Sequence, residues 1–75
     1  MINLIPGKLY RTSSHTMQVV YAKRVRPVTW LSGHSIVMFI ELGDPLQGIL
    51  DAVFLYQDQK VLIGQHDYWQ LEGPL

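Results

Sequence analysis

The chain has no cysteine, so neither a disulfide nor a thiolate zinc site can supplement its core. Charge is also scarce. Lys, Arg, Asp and Glu make up 16% of the 75 residues, against roughly a quarter in average globular domains. The first forty residues hold no Asp or Glu, and the last thirty-five hold one Lys and no Arg. Apolar runs stop at about five residues, as in Ile36 to Ile40, far short of the ~20 that a membrane-spanning helix needs. The glycines form neither G-x-G-x-x-G nor G-x-x-x-x-G-K-[ST], which leaves nucleotide binding without a phosphate-cradling loop. The opening MINLIPGKLY has no basic leader, long apolar stretch or small-residue cleavage site. An unprocessed intracellular, cytoplasmic protein without membrane attachment is therefore expected.

Seventy-five residues suffice for one domain spanning 1–75, and such a chain buries only about 60% of its unfolded surface. One core of that size supplies about 3–5 kcal/mol of net stability. With disulfides excluded, oligomerisation is the simplest supplement. Hydrophobic residues reach 48%, and with so little charge some surface is expected to be covered by a partner. The zero net charge hides an asymmetry: Lys8, Arg11, Lys23, Arg24 and Arg26 give +5 up to Ile40. Glu41, Asp44, Asp51, Asp58, Asp67 and Glu72 against Lys60 give −5 thereafter. Such a split bears on partners and self-association.

Turn residues recur at Pro6-Gly7, Thr12 to His15, Pro27, Ser32 to Ser35, Gly43 to Gly48, Gln57 to Lys60 and Gly64 to Asp67. The short intervals between them are rich in Val, Ile, Tyr, Phe and Trp, as strands are. Strands are predicted at Lys8 to Thr12, Met17 to Arg24, Val28 to Leu31, Ser35 to Leu42, Ala52 to Tyr56, Lys60 to Ile63 and Tyr68 to Leu71. The run in Ser35 to Leu42 suggests burial on both faces, or a bend where one face changes partner. Gln57-Asp58-Gln59 suits a tight hairpin. Two patterns compete over Asp44 to Phe54. Asp44-Pro45-Leu46-Gln47 resembles a helix start, and Leu46, Ile49, Leu50, Val53 and Phe54 follow helical spacing. Against that, Gly48 costs about 1 kcal/mol inside a helix, and Ala52 to Ile63 forms a natural hairpin. A helical turn near Pro45 followed by a strand is the expectation.

So many short strands cannot form two covered sheets; they can curl into a small, strongly bent barrel. Pro6-Gly7-Lys8-Leu9-Tyr10-Arg11, Val37-Met38-Phe39-Ile40-Glu41 and Asp67-Tyr68-Trp69-Gln70-Leu71 resemble the opening, central and closing strands of Src-homology-3-like barrels. They are also similar to short barrel proteins that tailed bacteriophages carry, which would place the chain in an infected bacterial host. The resemblance implies an all-β barrel of five to six strands. There is no Ala-Leu-Tyr-Asp-Tyr segment, acidic loop or Trp-Trp pair, so no proline-rich-ligand groove is implied.

Chemistry-bearing patterns are sparse. His15, His34 and His66 each fall beside a turn; His66-Asp67 could be an imidazole oriented by a carboxylate, and His34 with His66 could share a metal if their loops met. Solvated loop histidines explain them more simply, so no metal or cofactor is assigned. Thr12, Ser13, Ser14 and Thr16 around His15 look like a nucleophile beside a base. They lack elbow glycines and an identifiable third member, and a polar loop accounts for them. No catalytic residue is assigned and an enzyme is not expected.

The function expected is an interaction module that assembles with itself or with a protein partner through segregated basic and acidic surfaces. Arg11, Arg24, Arg26 and Trp30 are its basic-side contact candidates, and Asp44 and Asp51 the acidic counterparts. The alternative is a single-stranded nucleic-acid binder using Tyr10, Tyr21, Trp30 and Lys23, which a sequence pI near 6.8 disfavours. Internal cross-strand pairing of early cations with late carboxylates would be the plain account of the charge split. Trp69 is expected in the core, with Trp30 evenly balanced between core and interface.

Overall fold

Alternating side chains along the chain build seven strands: β1 (Leu9–Thr12), β2 (Met17–Tyr21), β3 (Val28–Leu31), β4 (Ile36–Leu42), β5 (Ala52–Tyr56), β6 (Gln59–Ile63) and β7 (Leu71–Glu72). A 3₁₀ helix, Gln65–Gln70, precedes β7. The computed structural model describes residues 4–21, 28–43 and 51–75, with backbone alone for Val20, Tyr21 and Val28. The expected continuation of the second strand to Arg24, the bend at Pro27 and the competing helix and loop over Asp44 to Leu50 lie outside these residues.

All pairings are antiparallel, in the order β3-β2-β6-β5-β4-β1-β7. This order cannot be flat. In a flat sheet β1 and β2 would point the same way from positions four spacings apart, roughly 19 Å. Only Ser13–Thr16 join them, and that segment reaches at most about 18 Å fully extended. The same holds for β3 and β4, joined by Ser32–Ser35. The sheet must therefore curl until both short connections meet.

They meet as one long hairpin bent at its middle. Outside the bend Arg11 faces Ile36 and Tyr10 faces Val37; inside it Met17 faces Leu31 and Val19 faces Thr29. Between the two halves the ladder continues, Thr12 N–H donating to Ser35 C=O at 2.9 Å and His34 N–H to Ser13 C=O at 2.8 Å. Residues 14–16 then stand opposite 32–33, so the bend is a one-residue bulge of the kind that turns a strand. Thr12 is 1% exposed. Its hydroxyl donates to Ser32 C=O (3.3 Å) and accepts from Ser35 N–H (2.9 Å). Sequence context makes Thr12 part of a solvated loop; the fold makes it the buried pin of the bend.

The small all-β domain expected from the strand pattern is what forms. The sheet curls without closing through strand pairing, since β3 and β7 are its ends. Its inner face holds one core of Tyr10, Met17, Val19, Leu31, Val37, Phe39, Ala52, Phe54, Val61, Ile63 and Leu71. Phe54 is its centre, edge-on to Tyr10 (6.3 Å between centroids) and tilted against Phe39 (5.4 Å). β4 bends at Ile40, where its register with β5 shifts between Phe39 and Glu41. The strand keeps β5 as its partner on both sides of the shift, and its alternate residues from Ile36 are exposed or half-buried rather than buried on both faces.

Two local expectations are corrected. The β5–β6 hairpin turns on two residues rather than three, Gln57 (φ 49°) and Asp58 (φ 63°). Both lie in the left-handed region that a type I′ turn demands. Tyr68 to Gln70 is 3₁₀ helix and not strand. Asp67 N–H bonds Gly64 C=O at 2.9 Å, and the Asp67 carboxylate accepts from Gln70 Nε2 at 3.1 Å. These i to i+3 bonds satisfy a stretch that has no strand alternation to bury.

A Cβ added at Gly33 would lie 2.8 Å from the Ser14 carbonyl carbon and closer still to its oxygen. Gly33→Ala is expected to cost about 1–3 kcal/mol, and Thr12→Val a similar amount by stripping the Ser35 amide of its partner, both read as denaturant midpoints. Replacing Gln57-Asp58 by Asn-Gly should raise stability by about 1 kcal/mol, because glycine and asparagine enter positive φ more readily.

Candidate functional site

Antiparallel alternation decides which candidate side chains reach the surface. On β1, Leu9 and Arg11 face outward while Tyr10 and Thr12 face the core. Tyr10 is 0% exposed, and its hydroxyl accepts from Ile5 N–H at 2.7 Å. It cannot stack on a base, so the single-strand alternative loses one of its aromatic platforms. Tyr21 lies on β2 opposite Val61. Lys23, Arg24, Arg26 and Asp44 lie outside the described residues.

Trp30 stands on β3 opposite Gln18 and is 59% exposed. Trp69 is 71% exposed, which corrects its expected place in the core. Neighbouring side chains on a 3₁₀ helix point about 120° apart. Tyr68 takes the inward direction and packs on the core, which leaves Trp69 to project. Both indoles flank the bend. Trp30 is two residues from Ser32, whose carbonyl holds Thr12. Trp69 adjoins Gln70, whose amide oxygen accepts from Ser13 Oγ at 3.2 Å.

Arg11 is exposed and faces Glu72 across β1 and β7, so the basic and acidic halves of the sequence touch at this point. Even so, the only ion pair within 4.0 Å among the described residues is His66 Nε2 to Asp67 Oδ2, at 3.5 Å. Internal pairing of Lys8, Arg11 or Lys60 with a carboxylate is not seen among those residues. Asp51, just ahead of β5, is half-buried; its Oδ1 and the His66 ring both crowd the space beside Gly64.

The His66–Asp67 pair forms as its sequence suggests, on the exposed start of the 3₁₀ helix. Asp67 passes the contact to Gln70 and Gln70 to Ser13, a chain invisible in the sequence because Ser13 and Gln70 are 57 residues apart. His34, at φ 60°, belongs to the bend through its backbone. No group of three or more His, Cys, Asp or Glu residues is arranged to hold a metal among the described residues.

Tyr68, packed on the core behind Trp69, has a displaced titration. Burial raises its phenol pKa above the ordinary 10.0, and the Asp51 carboxylate adds to the rise. The neutral phenol is favoured by folding, so its contribution to stability is complete below pH 10 and is lost as pH climbs through the folded-state value. In ultraviolet titration of tyrosinate the Tyr68 phenol should ionise above 10.0, a late step that is lost in Tyr68→Phe and moves back toward 10.0 in Asp51→Asn. Iodide should quench both indoles in the folded protein.

The chain matches no protein-family model, and neither a curated protein nor a solved structure shows significant similarity to it.

Proposed function

We propose that this domain is a non-enzymatic interaction module, a small SH3-like barrel that assembles with itself or with a protein partner through oppositely charged parts of its surface. The observation that carries the proposal is the exposure of both tryptophans, Trp30 and Trp69, on a domain with only 16% charged residues. Tryptophan dominates the energetic centres of interfaces, and a core this small would ordinarily enclose its largest side chains. The cations Lys8, Arg11 and Lys60 remain available to a partner, none being within 4.0 Å of a described carboxylate. Complementary charge would raise the association rate and set orientation, with buried apolar surface providing affinity.

Light scattering tests the self-association form. A mass above 8.6 kDa is expected at about 50 mM salt, falling as salt rises to about 500 mM. A constant monomer mass across that range counts against it. Arg24→Glu with Arg26→Glu should weaken assembly, while neither wild type nor variant should be retained by a single-stranded oligonucleotide column.

A further inference from the structure

We infer that the bend is also a hinge, through which the β2–β3 pair of one chain exchanges places with that of a second copy. The inference goes beyond the assembly proposal, because the contacts it uses are those of the folded monomer. Exchange needs a unit joined to the rest of the fold at one place. The β2–β3 pair is joined to the rest of the chain by Ser13–Thr16 and Ser32–Ser35, which run side by side in the bend. Beyond the bend, β3 pairs with β2 alone. β2 meets the remaining sheet through two register pairs, Val20 with Leu62 and Tyr21 with Val61. Met17, Val19 and Leu31 are the unit's share of the core. The place beside β6 is thus already complementary to this sequence, and a second copy's β2–β3 pair fills it in the same register.

The bend holds opposing contacts. Ser32 C=O and Ser35 N–H lie 3.3 and 2.9 Å from the one Thr12 hydroxyl, and the Ser35 hydroxyl donates to the same carbonyl at 2.6 Å. An extended strand would set residues 32 and 35 about 10 Å apart, so straightening breaks this latch. Against the latch, His34 sits between them at φ 60°, a region unfavourable to residues with a Cβ. The Ser14 carbonyl also presses on Gly33. Straightening relieves both. Ser14, His15, Thr16, Ser32 and His34 are exposed, so water reaches the groups that it frees. Every other pairing and core contact re-forms between the two copies. Leu9, Met38 and Leu55, side by side across β1, β4 and β5, keep their neighbours in both forms. The balance between monomer and exchanged dimer therefore rests on the hinge, and mass action makes it depend on concentration.

Cross-linking of the full chain tests the inference. Val20→Cys with Leu62→Cys joins β2 to β6, and Met38→Cys with Leu55→Cys joins β4 to β5. Residues directly opposite in an antiparallel pair are within disulfide reach. Wild type and both variants, refolded at millimolar concentration, should give monomer and dimer fractions. After oxidation, the dimer fraction of the first variant should run as linked dimers on a denaturing gel without reductant. Its monomer fraction should run as single chains, as should both fractions of the second variant. The dimer should keep its mass as salt rises, where one held by surface charge dissociates. His34→Val should raise the dimerisation constant at least about tenfold, and His34→Gly should lower it by a similar factor. A valine variant that fails to fold leaves the glycine variant as the measure. Single chains in the dimer fraction of the first variant, or a dimer that salt dissociates, overturn exchange and leave assembly standing. Linked dimers from the second variant, or an unchanged constant in the His34 variants, overturn the bend as the hinge. A wild type that is monomeric at every concentration removes exchange together with self-assembly, and only assembly with a different protein then stands.

Discussion

The fold depends on one bend, where residues 14–16 pass residues 32–33. With it, a single long hairpin becomes two halves that face each other. β5 then extends the sheet from β4, and β6 extends it from β2, so the second hairpin spans the halves and the core closes between them. Two local facts hold the bend. The Thr12 hydroxyl satisfies one carbonyl and one amide at its centre, and leaving such groups unpaired when buried costs about 1–3 kcal/mol. Gly33 lets the Ser14 carbonyl approach where any side chain would stand. Backbone polarity and backbone proximity thus do here what a cystine bridge does in other domains of this size.

The C-terminal segment is tied to the same place. Ser13 holds Gln70, Gln70 holds Asp67, and β7 pairs with the last two residues of β1. The short helix is consequently anchored at both ends, and its 120° step between neighbours permits only one of Tyr68 and Trp69 to pack inward. The exposure of Trp69 follows from this geometry and not from any polarity of the side chain. Trp30 is outward for a related reason: it alternates with Leu31, which the bend seals completely.

Local patterns made most strands legible. The bounds of β3 and β5 follow directly from apolar runs between turn residues, and the run in β4 spans a register shift against β5. What the sequence hides is non-local. Thr12 reads as one hydroxyl among several because its partners, Ser32 and Ser35, are 20 and 23 residues away. Tyr10 reads equally well as platform or core until the register of β1 against β4 fixes its face. The closing 3₁₀ helix is hidden because Tyr-Trp favours strands, although Asp67 and Gln70 stand at the i to i+3 spacing that such a turn uses. Of the contact candidates, Trp30 and Arg11 stand outside, a placement the sequence leaves even for Trp30, while Arg11 beside Glu72 shows that charges far apart in sequence become neighbours once β7 joins β1.

Scarcity of charge and an apolar outer face are two aspects of one constraint. A curled sheet of 75 residues with a single core holds about 3–5 kcal/mol. Its central strands carry more apolar surface than one side can bury. Further charge on the outward positions of β4 and β5 would improve solvation of the monomer but would leave the core no larger. Assembly that covers exposed apolar surface would remove it from water and add stability through mass action. Under the proposed assembly, folding and association are therefore one equilibrium viewed at different concentrations.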